Sequence, residues 1–160
     1  MPIERYSVSF DPLTPVNSGH AYAEMLAGAA DPVSIKSITV TARTAIGGNV
    51  ALVRAHAIGT GAATGVFTGM AHRSAATCAT GPAKAYIAWV SSGVTPTGTL
   101  SRLRSEIIPI GTGSSFSLWD SHYDGPLLLE PRTSLLLVNN GSGIDGGGLR
   151  INVTWEEGRL

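Results

Sequence analysis

The last stretch of the chain alternates strictly. Leu149, Ile151, Val153 and Trp155 are apolar, and Arg150, Asn152, Thr154 and Glu156 between them are polar. A period of two predicts a strand with one buried and one wet face. Ile38, Val40 and Ala42 alternate in the same way with Thr39, Thr41 and Arg43. Val50 to Ile58 reads as a third strand. It carries small Ala51, Ala55 and Ala57 on one face and Arg54 and His56 on the other. Ala85 to Ser91, Phe116 to Trp119 and Leu127 to Leu129 follow as further strands. Leu135-Leu136-Leu137-Val138 is apolar at every position. That pattern predicts a strand buried on both faces, by the core on one side and by a neighbouring subunit on the other.

Turn signals separate these runs at intervals of about 8 to 15 residues, the spacing of a sandwich or barrel. They include Gly47-Gly48-Asn49, Gly81-Pro82, Asp124-Gly125-Pro126, Glu130-Pro131 and Asn139-Asn140-Gly141. The expected fold is therefore an all-β antiparallel sandwich occupying residues 33–160. Two segments leave room for helix. His20 to Ala30 can form one or two turns. Leu100, Leu103 and Ile107 have helical spacing, but the β-branched Ile107-Ile108 and the following Pro109 favour a strand. Residues 1–32 hold Pro2, Pro12, Pro15 and Pro32 with few long apolar runs. They read as an extended N-terminal arm laid across the domain or a neighbour.

Composition narrows the choices. The 160 residues suffice for one domain with a real core. Charged residues make up 14%, well below the usual quarter, which fits a surface partly hidden against copies of itself or a partner. Eleven basic and eleven acidic residues cancel. That balance leaves no electrostatic footprint for nucleic acid, and no basic helix or long apolar run points to a membrane. The single cysteine, Cys78, excludes an intrachain disulfide and a cysteine-based zinc cluster. Met1 to Arg5 shows no basic-then-apolar leader pattern.

Candidate chemistry is sparse. Asp120, His122 and Asp124 form an Asp-x-His-x-Asp run beside Tyr123. In an extended chain all three face one way, and carboxylates with imidazole suit zinc, manganese or iron. A polar loop closed by Asp124-Gly125-Pro126 accounts for the same residues, so no metal and no cofactor is expected. Gly141 to Gly148 resembles part of a calcium turn, but one acidic residue is a poor start for six to eight oxygen ligands. Gly59 to Gly65 lacks the spacing and the lysine of a phosphate loop. No serine sits in Gly-x-Ser-x-Gly. His20, His56, His72 and His122 are scattered, and Glu156-Glu157 point to opposite faces of a strand. No basic neighbour activates Cys78. An enzyme is not expected. Asn140-Gly141-Ser142 and Asn152-Val153-Thr154 match the glycosylation pattern and read as chance matches. Of the large aromatics, Trp89 or Trp155 is expected in the core. Trp119 and Tyr123, with His122, are the candidates for contact with a ligand or partner.

Three stretches carry a resemblance to a family. They are Leu52-Val53-Arg54-Ala55 with Ile58-Gly59-Thr60, then Pro126 to Asn139, then Leu149 to Glu157. The pattern they belong to spans about residues 33–157. The chain resembles small bacteriophage virion proteins, jelly-roll domains that serve as capsid decoration or cement proteins and as head or tail fibre modules. Relatives often carry Pro-Gly at the turn before the apolar strand. Here it is Pro131-Arg132, which leaves the turn type open. The resemblance implies a jelly-roll-like sandwich, no catalysis and a place in the virion, assembled in the host cytoplasm. It also implies a homotrimer that clamps the major capsid protein or another virion protein. The alternative is a tail or fibre-tip module that binds a carbohydrate or other receptor through its loops.

Overall fold

The computed structural model describes residues 4–11, 18–27, 32–43, 48–56, 66–67, 70–71, 83–87, 95–108, 113–141 and 149–157. Every regular element among these residues is a β-strand. In chain order they are β1 (Glu4–Phe10), β2 (Ala21–Ala27), β3 (Val33–Ala42), β4 (Gly48–Ala55), β5 (Val66–Phe67) and β6 (Met70–Ala71). There follow β7 (Ala83–Ile87), β8 (Leu100–Ile108), β9 (Ser115–Asp120), β10 (Leu127–Leu129), β11 (Ser134–Asn139) and β12 (Leu149–Glu157).

The strands form two antiparallel sheets packed face to face. The first runs β10-β3-β12-β1-β6, with β9 lying beside β3 on the same edge as β10. The second runs β5-β7-β2-β11-β4-β8. β9 and β10 are one edge strand interrupted by a loop, since Asp120 pairs with Ser37 and Leu127 pairs with Ile35. The chain changes sheet at most of its connections. The core between the sheets is built from the inward phases of both, among them Ile35, Ile38, Val40, Leu52, Leu118, Ile151 and Trp155.

The alternating pattern of β12 is realised as expected. Leu149, Ile151, Val153 and Trp155 are buried, and the residues between them are half-buried or exposed. β3 is less regular. Val33 and Ile35 face inward, and so do Ile38, Val40 and Ala42, which are out of phase with the first pair. A bulge resolves the conflict. Thr154 pairs with Ser37 and Trp155 with Ile35, so Lys36 is the extra residue. One inserted residue lets both apolar sets reach the same core.

The N-terminal segment departs from expectation. Residues 1–32 read as an arm, but β1 is inserted between β12 and β6, and β2 between β11 and β7. Val8 and Tyr22 enter the core from these strands. Ala21 to Ala27, with good helix formers in Ala, Glu, Met and Leu, is a strand because it pairs along both edges. Tertiary pairing overrides a weak local preference. At Leu100–Ile108 the structure has the strand that β-branching favoured.

β11 is buried at all six positions. Leu135 and Leu137 face the main core. Leu136 and Val138 face the opposite way, into a second cluster with Ala21, Ala51, Val53 and Ala55. The members of this cluster are at most 7% exposed within one chain. The apolar second face of β11 is therefore covered without any neighbouring subunit, contrary to the expectation from its sequence.

The turn into β11 has a defined type. Thr133 N–H donates to the Glu130 carbonyl at 3.1 Å, closing a four-residue turn. Pro131 occupies its second position, and Arg132 takes φ = 65° at the third. Pro followed by a left-handed residue fits a type II turn, which favours glycine at that place. Arg132 thus adopts a left-handed conformation that glycine reaches without strain. Arg132→Gly is expected to raise stability by up to about 1 kcal/mol, strain relief less the added unfolded-state entropy of glycine. Urea denaturation reads the change, and a loss of stability would mean that Arg132 earns its place through side-chain contacts.

Candidate functional site

The loop between β9 and β10 is a tightly organised polar feature of the first sheet. Tyr123 and Asp124 N–H groups both donate to the Asp120 carbonyl, at 3.0 and 2.7 Å. The Asp120 carboxylate accepts from the His122 N–H at 2.9 Å, and the Asp124 carboxylate accepts from the Asp120 N–H at 2.8 Å. Ser121 N–H donates to the Lys36 carbonyl at 2.8 Å and ties the loop to β3. Such local side-chain to backbone bonds are the habitual use of aspartate in turns. Both Asp124 oxygens also accept from Arg104 Nη1 on β8, at 3.1 and 3.2 Å. That ion pair links the edge strands of the two sheets.

This geometry answers the Asp-x-His-x-Asp pattern. The run is not extended. Its two carboxylates hold loop amides and Arg104, and the imidazole of His122 turns to solvent beside Tyr123. Among the described residues no group of three His, Cys, Asp or Glu side chains converges as a metal site.

The three residues singled out from sequence separate into two kinds. His122 and Tyr123 meet edge to face, with ring centroids 4.8 Å apart and planes at 81°. Tyr123 is 83% exposed. Trp119 instead packs half-buried against the main core, and its Nε1 is buried with no hydrogen-bond partner. The loop therefore displays one imidazole and one phenol on a hydrogen-bonded frame, while Trp119 belongs to the edge of the core. Trp89, His72, Cys78, residues 57–65 and residues 142–148 lie outside the described residues.

Sequence reasoning missed the edge to which this loop belongs. Leu100, Tyr123 and Leu128 are the exposed large apolar side chains among the described residues, and all three sit on β8 or along the β9–β10 edge. Arg54 bridges the same side. Its neighbours in phase, Val50 and Leu52, point into the core, and its Nη2 donates to the Leu128 carbonyl at 2.8 Å. The sheets are thus clamped there by Arg54 and Arg104. Neither contact has a local sequence signal, because each joins strands of different sheets.

The outer face of the first sheet is polar on β1, β12 and β3, with Leu128 exposed on the edge strand β10. Ser7, Thr39, Thr41, Asn152 and Thr154 occupy its middle, half-buried by their neighbours. At one end Glu156 pairs with Arg5 at 2.7 Å and Lys36 at 2.9 Å. At the other, Asp11 pairs with Arg43 and Arg150, both at 2.9 Å. Hydrogen bonding from Arg150 holds the Asp11 carboxyl below its usual range, and the same contact raises Arg150. Burial pushes the Glu156 carboxyl up, but hydrogen bonds from Lys36 and Arg5 outweigh it and the net shift is downward.

A void of about 30 Å³ lies between the sheets, lined by residues such as Met25, Ile38, Leu52 and Val153. That is space for about one water, and the lining is apolar apart from Glu24. At the end of the second sheet His20 Nδ1 and Thr95 Oγ1 stand 3.2 Å apart, a surface hydrogen bond. No protein family, curated protein or solved structure matches the chain.

Proposed function

We propose that the chain is a structural subunit of a bacteriophage particle, a jelly-roll domain that decorates or cements the capsid as a homotrimer. The strand order carries this reading. With β9–β10 counted as one strand and the short β5, β6 and β7 set aside, one sheet runs β1-β12-β3-β9/β10 and the other β2-β11-β4-β8. First and last strands pair, and the chain passes from sheet to sheet, which is how a jelly roll wraps. The sequence resemblance supplies the particle, the trimer and the capsid partner. Because β11 is closed within one chain, the subunit contact belongs elsewhere. The edge bearing Leu100, Tyr123 and Leu128 is the surface assigned to it. An exposed tyrosine on a stiff loop loses little freedom on docking, which is why such residues anchor interfaces.

Light scattering on the purified chain is expected to give about three times 16.5 kDa. Phage particles banded on a density gradient should carry the protein. Tyr123→Ser should change folding stability by less than about 0.5 kcal/mol, as a surface substitution does. It should weaken assembly at least about tenfold, as loss of an interface tyrosine does. A monomer absent from particles overturns the proposal.

A second reading rests on the same loop. As a fibre-tip module the chain would present Tyr123 to the apolar face of a sugar, with His122 beside it as a hydrogen-bonding group. Binding of a monomer to host polysaccharide, abolished by Tyr123→Ser, would favour this reading over the first.

A further inference from the structure

Asn140-Gly141 is the Asn-Gly step of the chain, and it lies just past the last residue of β11. Such a step carries its own chemistry. The backbone nitrogen of the glycine, unshielded by a side chain, can attack the side-chain carbon of the asparagine. The structure places restraints on both reacting groups. Asn140 Oδ1 accepts from Arg102 Nη2 at 2.8 Å, and Asn140 Nδ2 donates to Asn49 Oδ1 at 3.3 Å. The Gly141 N–H, the nucleophile, donates to Asn139 Oδ1 at 3.1 Å. The Asn140 N–H donates to the Asn49 carbonyl at 2.9 Å, anchoring the backbone on β4.

Glycine is not required here by shape. Gly141 is not among the residues with positive φ. A Cβ built on it would meet Asn49 at 3.5 Å, an ordinary contact. What glycine changes at this position is the accessibility of its nitrogen.

We infer that Asn140-Gly141 is a latent self-modification site, held closed by Arg102 and Asn49, that converts to aspartate and isoaspartate when this clamp opens. In the reaction the Gly141 nitrogen bonds to Asn140 Cγ and gives up its proton to solvent base. The Cγ–Nδ2 bond breaks and ammonia leaves, forming a succinimide. One water then opens the ring at either carbonyl. Opening one way gives aspartate, and opening the other gives isoaspartate, in which the backbone runs through the former side chain. The clamp slows the first step because an intramolecular attack needs the two atoms aligned. Here hydrogen bonds direct the amide toward Arg102 and Asn49 and the N–H toward Asn139. The product is a carboxylate facing Arg102 on the edge strand β8. A neutral chain thereby gains one negative charge at the end of the second sheet.

The test follows conversion at position 140 in folded protein kept in mildly alkaline buffer. Peptide mass spectrometry reads the product, and enzymatic isoaspartate methylation reads the isomer. Wild type should convert slowly when folded and much faster in urea. Arg102→Ala should speed the folded rate about tenfold, the scale of losing one charge-assisted hydrogen bond. Asn49→Ala opens the other end of the clamp and should act in the same direction, so it decides the question if Arg102→Ala fails to fold. Gly141→Ala should suppress conversion in every background. Equal rates for wild type and the folded clamp variants would overturn the inference, as would a folded wild type that converts as fast as the unfolded chain.

Discussion

Trp155→Ala is expected to cost about 3–5 kcal/mol of folding stability, a large share of what a domain of this size possesses. Trp155 is 0% exposed and sits in the inward phase of β12. It lies directly opposite Tyr6 on β1, their rings stacked with centroids 5.8 Å apart and planes at 23°. On its other side it pairs with Ile35, at the bulge that resets β3. Truncation would empty the junction of three strands. Glu156, one residue on, is the internal control. It faces outward as the alternation requires, but it is more than a solvated carboxylate, because Arg5 and Lys36 both bind it. Glu156→Ala should therefore cost up to about 1 kcal/mol, the range of surface ion pairs. The two losses differ in their pH response. The Glu156 carboxyl is held below its usual value in the folded chain. Its contribution is thus present above the unfolded-state value and disappears as pH falls through the folded one. In acid the cost of Glu156→Ala should fade, while that of Trp155→Ala persists. Urea titrations at neutral and acid pH give both numbers. A larger loss for Glu156→Ala at neutral pH would mean that the register of β12 is shifted by one residue.

Leu136→Ala is expected to cost about 2–5 kcal/mol, the range for truncating a buried leucine. The cost should not depend on protein concentration. Leu136 lies at the centre of the second cluster, flanked in register by Val53 on β4 and Glu24 on β2. It is fully buried in one chain, as is Glu24 beside it. The concentration test separates two accounts of the same apolar pattern. If the cluster is internal, the midpoint of unfolding shifts equally at every concentration. If a second subunit covered it, the loss would appear as weaker association, and the effect would grow on dilution. A variant that unfolds like wild type but no longer assembles would contradict the burial of this face within the chain.

The alternation of β12 and of the second half of β3 specifies strands, faces and inward residues without further help, because a period of two leaves one way to bury the apolar set. The spacing of glycine and proline specifies a sandwich for a similar reason, since it allows only short strands. Other features were beyond the sequence. The proline-rich start looked like an arm because its strands carry few long apolar runs, yet β1 and β2 complete the two sheets through backbone pairing with distant partners. Leu135 to Val138 announced burial on both faces, but a pattern records only that a side chain avoids water, not which chain covers it. His122 and Tyr123 were legible as an exposed pair in a polar loop. Trp119 was not separable from them until the bulge at Leu118 turned it against the core. Arg54, Arg104 and Arg102 acquired their roles only in three dimensions. Each acts across a gap of 20 or more residues, and contacts at that separation leave no periodicity for a sequence to display.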